Sequence, residues 1–469
     1  MNPAITNHHI VIIGGGPGGY EAALAGRQLG ANVTLIERDG VGGSAVLTDV
    51  VPSKTLIATA AAAEAVKTAS ALGIKVADGN AHVSVDLASV NKRLLELASS
   101  QSKEMTENLL SAGVRIITGT GRLDGNHHVI AEASDGSQIE RLEAKTIILA
   151  VGARPRTLPG ADPDGERIFT WTQLYNLKQL PEHLIVVGSG VTGAEFASAY
   201  LSLDCKVTLV SSRDNVLPGE DLDAAVLIEE VFRREGMNIV KNSRADKIEK
   251  TANGVKVTLL DGKTIEGSHC LVAVGSIPNT ENIGLEEAGV EKAPSGHIIA
   301  NRVARTSRAN VYAVGDCTDF YPLASVAAMQ GRTAVFHTMG DVATPTLKRN
   351  IASNVFTSPE IASVGWSESE IKAGLVNGQI ETIALATNPR AKMTGVKDGF
   401  IKLFSSTGSG TVIGGVVVAP NASELIYPIA MAVENRLSVD ELARTYTVYP
   451  SLTATITEAA RALHNPNLD

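Results

Sequence analysis

Two glycine-rich loops constrain this chain more than any other feature. Gly14-Gly15-Gly16-Pro17-Gly18-Gly19 follows the apolar run Ile10-Val11-Ile12-Ile13, and Gly188-Ser189-Gly190-Val191-Thr192-Gly193 follows Leu184-Ile185-Val186-Val187. Each reads as a strand, a tight turn and the start of a helix. Such a turn lets the backbone approach a pyrophosphate and aims helix N–H groups at it. One copy suggests a dehydrogenase-type fold. Two copies predict two bound dinucleotides with electrons passing between them. Gly14, Gly16 and Gly19 are the candidate contacts of the first, and Gly188, Gly190 and Gly193 those of the second.

The residues beyond each loop distinguish the two sites. Strand Val33-Thr34-Leu35-Ile36 ends at Glu37, twenty-three residues after Gly14. An acid there holds a ribose hydroxyl pair. The same offset from Gly188 falls on Ser211, with Arg213 two residues later. A carboxylate would repel a 2′-phosphate, whereas Ser and Arg would accept one. The second site is therefore expected to take NADPH as well as NADH.

At 469 residues the chain exceeds one hydrophobic core, and four blocks follow one another. Residues 1–152 read as a βαβ unit, a long helical stretch over 53–71 and 90–112, and a closing strand at 146–150. Residues 153–274 hold the second βαβ unit and a small β-meander around 255–260 and 269–274. Residues 275–345 include Val311-Tyr312-Ala313-Val314-Gly315-Asp316 and a helix from Leu323. Residues 346–469 carry strands near 362–364, 399–404 and 412–418, then helices. The fold class is α/β with an α+β C-terminal block.

The net charge of −9 and an aromatic content of 4% argue against a nucleic-acid partner. No signal peptide is evident, and the longest apolar run, Val412–Ala419, is far too short to span a bilayer. A cytoplasmic protein without membrane insertion is expected. Cys205, Cys270 and Cys317 are scattered, without CxxC or metal-ligand spacing, so neither a metal site nor a disulfide framework is expected.

These residues, in order, resemble the two-dinucleotide flavoprotein disulfide reductases, the group of lipoamide dehydrogenase and glutathione reductase. The likeness includes Gly42-Gly43, Pro52-Ser53-Lys54, Ala150-Val151-Gly152, the second loop through Glu195, Ala273-Val274-Gly275, Pro278-Asn279-Thr280, Gly315-Asp316 and Thr357-Ser358-Pro359-Glu360-Ile361. The resemblance implies an FAD-binding domain in two parts (1–152 and 275–345) and an NAD(P)-binding domain (153–274). A dimerisation domain (346–469) of a homodimer completes it. Glu37 would hold the adenosine ribose of FAD and Asp316 its ribityl–pyrophosphate part. Gly43, Ser44, Lys54, Gly121, Ala150, Gly152 and Ala324 would also lie at FAD, and Glu195 and Gly275 at NAD(P). Lys54 and Glu195 match the family's ion pair beside flavin N5, where a lysine favours the negative charge that reduction brings.

The departures from the family narrow the chemistry. Its C-x4-C positions are Ala45 and Val50, and its His-Pro-Thr-x-x-Glu reads Tyr449-Pro450-Ser451-Leu452-Thr453-Ala454. Thiol–disulfide exchange needs a thiolate, and a phenol is a poor proton shuttle at neutral pH. Ala45 and Val50 would leave an apolar recess beside the flavin, with Tyr449 reaching it across the two-fold. A flat acceptor suits that slot, and a quinone fits best. The chain is thus similar to the NAD(P)H:quinone reductases of this family that lack the cysteine pair. Asp49, near the recess, is a further candidate for proton transfer. Alternatives remain open at this point: a pyridine-nucleotide transhydrogenase or NADH oxidase/diaphorase, a lipoamide dehydrogenase with thiols from elsewhere such as Cys317, or a noncatalytic redox-sensing flavoprotein.

Overall fold

Strands that are apolar at every position are buried on both faces of a parallel sheet, and each glycine loop ends such a strand. The computed structural model describes residues 7–74 and 84–464. By its internal contacts the chain divides into two units. One holds the described residues through Thr55, with Asn91–Arg156 and Ser276–Leu347. The other holds the described residues of Leu56–Val90, Thr157–Gly275 and those from Lys348 on.

In the first unit, His9–Ile13 is the middle of a five-stranded parallel sheet. The order is Val311–Ala313, Thr146–Leu149, His9–Ile13, Asn32–Glu37, Arg115–Thr118. Helix Pro17–Gln28 crosses helix Ala324–Met339 at almost bare backbone, since a Cβ on Gly331 would lie 2.1 Å from the Gly18 carbonyl oxygen. That contact sets the second helix beside the loop at 14–19. A three-stranded antiparallel sheet, Thr120–Asp124, His128–Glu132 and Gln138–Glu143, fills the span between the helix read at 90–112 and the strand at 146–150, where the sequence reading placed no element. Ala153–Pro155 pairs with Ser276–Pro278.

The second unit repeats the pattern. His183–Val187 is central in a parallel sheet ordered Asn238–Val240, Lys206–Val210, His183–Val187, His269–Val272, Ile168–Phe169. The antiparallel meander is Ala245–Lys250, Val255–Leu259, Thr264–Gly267. The expectation that 269–274 belongs to it is corrected. Val255–Leu259 alternates buried and half-buried residues, as a one-faced strand does, whereas Cys270, Leu271 and Val272 are all fully buried and pair with 184–187. The remaining sheet is antiparallel, ordered Ser353–Val355, Glu360–Gly365, Val412–Ala419, Phe400–Ser406, Gly378–Ala384. Helices Tyr427–Asn435 and Ala454–Ala462 share its core through Ile429, Ile456 and Ala460.

Helical stretch Gly43–Leu72 is long and apolar enough, by length and composition, to cross a membrane, with 33% of its most apolar window buried in the protein. Asp49, Lys54, Glu64 and Lys67 divide it, so it contains no long uninterrupted apolar run.

Candidate functional site

The two glycine loops share one backbone plan. Gly14 N–H donates to the Ile36 carbonyl at 2.9 Å and Gly188 N–H to that of Val210 at 3.0 Å. The first glycine of each loop has positive φ (+98° and +113°), and a Cβ there would lie 2.3 and 2.1 Å from the carbonyl oxygens of Ala150 and Ala273. The last glycine, Gly19 or Gly193, would place a Cβ 1.9 Å from the carbonyl oxygen of the first. The middle glycines differ in kind. A Cβ on Gly16 or Gly190 would meet nothing within 4 Å. The protein's own packing does not require those glycines. Their bareness leaves ligand space at a helix N-terminus, which fits a pyrophosphate.

Register pairs Ile13 with Ile36 and Val187 with Val210, so Glu37 and Ser211 occupy equivalent places. Glu37 closes the first loop by accepting N–H bonds from Gly15 (2.6 Å), Asp39 (2.7 Å) and Gly40 (3.2 Å). Carboxylate lone pairs remain for ribose hydroxyls. In the second loop a pair of hydroxyls does the same work: Ser189 Oγ donates to Ser211 Oγ at 2.7 Å. Ser211 also accepts from Arg213 N–H (3.1 Å) and lies against the carbonyls of Arg213 (3.1 Å) and Asn215 (3.4 Å). A hydroxyl has one donor and two acceptor sites. Ser211 is fully buried and saturated, which corrects the expectation that its side chain meets a phosphate. Ser212 and Arg213 of the same loop are exposed.

The other residues expected at FAD lie in the first unit. Asp316 follows the strand Val311–Ala313, and burial pushes its carboxyl above the usual range, with His297 pulling the other way. A buried acid of this kind fits a ligand hydroxyl. Gln330, which the sequence reading did not single out, fixes the turn by accepting Gly315 N–H at 2.8 Å. Ala324 is the first residue of its helix. Ala150 N–H donates to Ile13 O at 2.8 Å. Asn279 steadies the Val151-Gly152 turn, its Nδ2 donating to Val151 O at 3.0 Å and its N–H to Gly152 O at 3.0 Å. Gly152, and Gly275 in the second unit, have positive φ and open space where a Cβ would stand. Gly121 faces inward on its strand, where a Cβ would lie 2.9 Å from Ile13 Cγ2. Gly43 opens the short helix Gly43–Leu47 against Gly16.

Ala45 lies on that short helix and Val50 begins helix Val50–Thr68, with Asp49 between; all three are half-buried. Ser44 is exposed and shares a 3.1 Å hydroxyl contact with Thr48. Half-buried Lys54 follows one turn after Val50. In the second unit, buried Glu195 accepts Phe356 N–H at 2.9 Å and Ser198 accepts Ser358 N–H at 3.2 Å, fastening helix Val191–Ser202 to the last block. Tyr449 is 78% exposed beside exposed Tyr446 and Val448.

All three cysteines are free and buried. Burial pushes the thiols of Cys205 and Cys317 up to about 12 and raises Cys270 as well. None can supply a thiolate near neutral pH. Asp221, Asp223 and Glu368 cluster, but the Lys402 ammonium fills the centre, 2.9 Å from Asp221, 2.7 Å from Asp223 and bonded to Glu368.

Residues 8–331 match the family described as pyridine nucleotide-disulphide oxidoreductase, and residues 351–460 match its dimerisation domain. A Mycobacterium tuberculosis protein named NAD(P)H dehydrogenase (quinone) is 50% identical, covering 97% of this chain and 93% of its own. Dihydrolipoyl dehydrogenase 2 of Haloarcula marismortui is 32% identical, covering 97% of each. Among solved structures, LpdA from Mycobacterium tuberculosis superposes with a TM-score of 0.93 at 49% identity, over 98% of this chain and 100% of that one.

Proposed function

The chain belongs to the pyridine nucleotide-disulphide oxidoreductase family, and from that premise we propose that it is an FAD-dependent NAD(P)H:quinone oxidoreductase working without a dithiol relay. One observation carries the reading. Alanine and valine stand where the family holds its redox cysteines, and the chain's three thiols are buried and protonated. The 50% identical relative named NAD(P)H dehydrogenase (quinone) supports it.

When bound, FAD supplies acceptance of hydride from NAD(P)H and delivery of electrons to an acceptor. Residues 14–19 with Glu37 and Asp316 would hold it. Residues 188–193 would hold the nicotinamide nucleotide. Lys54 would favour the negative charge that reduction brings, and Glu195, which accepts Phe356 N–H, matches the family's partner to that lysine. Ala45 and Val50 would give a planar acceptor an apolar seat. Tyr449, exposed on one copy, would close the slot of the other copy of a homodimer and donate its O–H to a quinone oxygen.

Anaerobic stopped-flow tests this. NADH or NADPH should bleach the flavin, and menadione or a benzoquinone should restore its colour. Native enzyme treated with iodoacetamide should keep that turnover. Arsenite-sensitive turnover with dihydrolipoamide would overturn the proposal.

A further inference from the structure

We infer that Lys402 is a positioning residue for the nicotinamide nucleotide: from a strand of the last block it fixes the loop that closes over the second glycine cradle. This rests on the reading of residues 188–193 as that nucleotide's cradle. It gives a task to a buried cation that the proposed reaction leaves unused.

The loop needs support from outside itself. Leu217 N–H donates to the Ser189 carbonyl at 2.8 Å, so the segment after strand Lys206–Val210 lies on the cradle. Leu217 is buried and holds φ +53°, a left-handed conformation that a residue with a Cβ keeps only where its surroundings impose it. Pro218, Gly219 and Glu220 then form neither helix nor strand. Glu220 N–H turns back to the Leu217 carbonyl at 3.1 Å. The loop ends on Asp221, which caps helix Leu222–Arg234 by accepting Asp223 N–H at 3.1 Å and Ala224 N–H at 3.2 Å.

Lys402 reaches that cap from strand Phe400–Ser406, where Thr382 and Val416 flank it in register. Alternation puts Phe400 and Phe404 on the same face of the sheet, both buried, and Lys402 between them is 1% exposed. Its ammonium donates to both Asp221 oxygens at 2.9 Å, to Asp223 at 2.7 Å and to Glu368. Lys372 holds Glu368 in turn at 2.5 Å. An apolar side chain between the two phenylalanines would fill the place without taking a charge out of water. What the ammonium adds is direction: its N–H donors fix the Asp221 carboxylate, and with it the end of the loop, at one point on the sheet. The far end of the same helix is tied more loosely, by the partly exposed pair Arg234 and Asp398.

Calorimetric titration of the purified FAD-loaded protein with ADP-ribose reads the cradle apart from electron transfer. Lys402→Met should weaken ADP-ribose about tenfold and raise KM for NAD(P)H in step, while the limiting rate of flavin bleaching stays unchanged. Asp221→Asn keeps a good helix cap and gives up the ion pair, so it should lose a similar factor. Lys402→Met combined with Asp221→Asn leaves no unpaired charge at the cap. It should regain thermal stability relative to Lys402→Met alone, but not the affinity. Affinity that recovers together with stability in the double variant overturns the inference, as does wild-type affinity in Asp221→Asn. If Lys402→Met does not fold, Asp221→Asn decides alone. Arg234→Gln should bind ADP-ribose as the wild type does; a loss equal to that of Asp221→Asn would overturn the inference. A wild type that binds ADP-ribose but passes no electrons to quinones refutes the proposed function and leaves the role of Lys402 standing. Quinone turnover with ADP-ribose affinity intact in Asp221→Asn does the reverse.

Discussion

Replacing Gly190 by alanine separates the space a ligand needs from the space folding needs. Gly190 has φ −72° and ψ −175°, an extended backbone that alanine adopts without strain. A Cβ there meets nothing within 4 Å. The native state therefore accepts the methyl, and the unfolded chain loses freedom, a gain of about 0.4–1 kcal/mol. For a domain of this size that raises Tm by about 1–4 °C. On the proposed function, the same methyl stands where a pyrophosphate would approach the helix N–H groups. Hydrogen bonds to charged groups contribute about 1.5–3 kcal/mol each, so losing one weakens NAD(P)H binding by about 10- to 100-fold. Gly193→Ala is the contrast. Its Cβ would lie 1.9 Å from the Gly188 carbonyl oxygen and 2.9 Å from the carbonyl carbon. Backbone cannot turn aside, so the helix must lift from the strand at a cost of about 1–3 kcal/mol or more. Thermal unfolding reads stability, and flavin bleaching against NAD(P)H concentration reads binding. Wild-type nucleotide affinity in Gly190→Ala, or destabilisation matching Gly193→Ala, would refute the reasoning.

Two further perturbations probe charge. Asp316 is raised by burial, so its folded-state contribution is favourable while protonated and is lost as pH rises through its folded value. Asp316→Asn should make the apoprotein more stable at pH 7 yet weaken FAD about tenfold; a less stable apoprotein in urea would contradict this. Burial works against the Lys402 charge, but the hydrogen bonds it donates to Asp223, Glu368 and Asp221 outweigh it and raise the ammonium above its ordinary value. Its contribution is complete below the usual lysine range and fades as pH rises through the higher folded value. Lys402→Met should cost about 3–5 kcal/mol at pH 7 by denaturant unfolding, and less in strong alkali. A loss below about 1 kcal/mol would show the carboxylates to be solvated.

The parts of the site legible in the sequence are those made within a few residues. Both glycine loops are strand, turn and helix in immediate succession. The Glu37–Ser211 equivalence follows from spacing because each strand pair is a parallel neighbour with one fixed register. What Ser211 does was not legible, because its hydroxyl is consumed by Ser189, twenty-two residues away. The supports Gln330 and Asn279 act on turns 15 and 128 residues distant, and no local pattern announces them. Strand His269–Val272 was assigned to the wrong sheet because neighbouring sequence does not name a pairing partner. The small sheet at 120–143 was missed because its strands are short and half-polar.

The first cradle is fastened more heavily than the second. Gly42 N–H donates to Gly15 O at 2.8 Å, and a helix begins at once at Gly43 against Gly16. Leu217 N–H makes the matching bond to Ser189 O at 2.8 Å, but the chain runs on through Pro218 and Gly219 before its helix starts at Leu222. One duplicated fold thereby builds two cradles of unequal closure: the first runs straight into a capping helix, the second leaves an extended stretch of chain before its own.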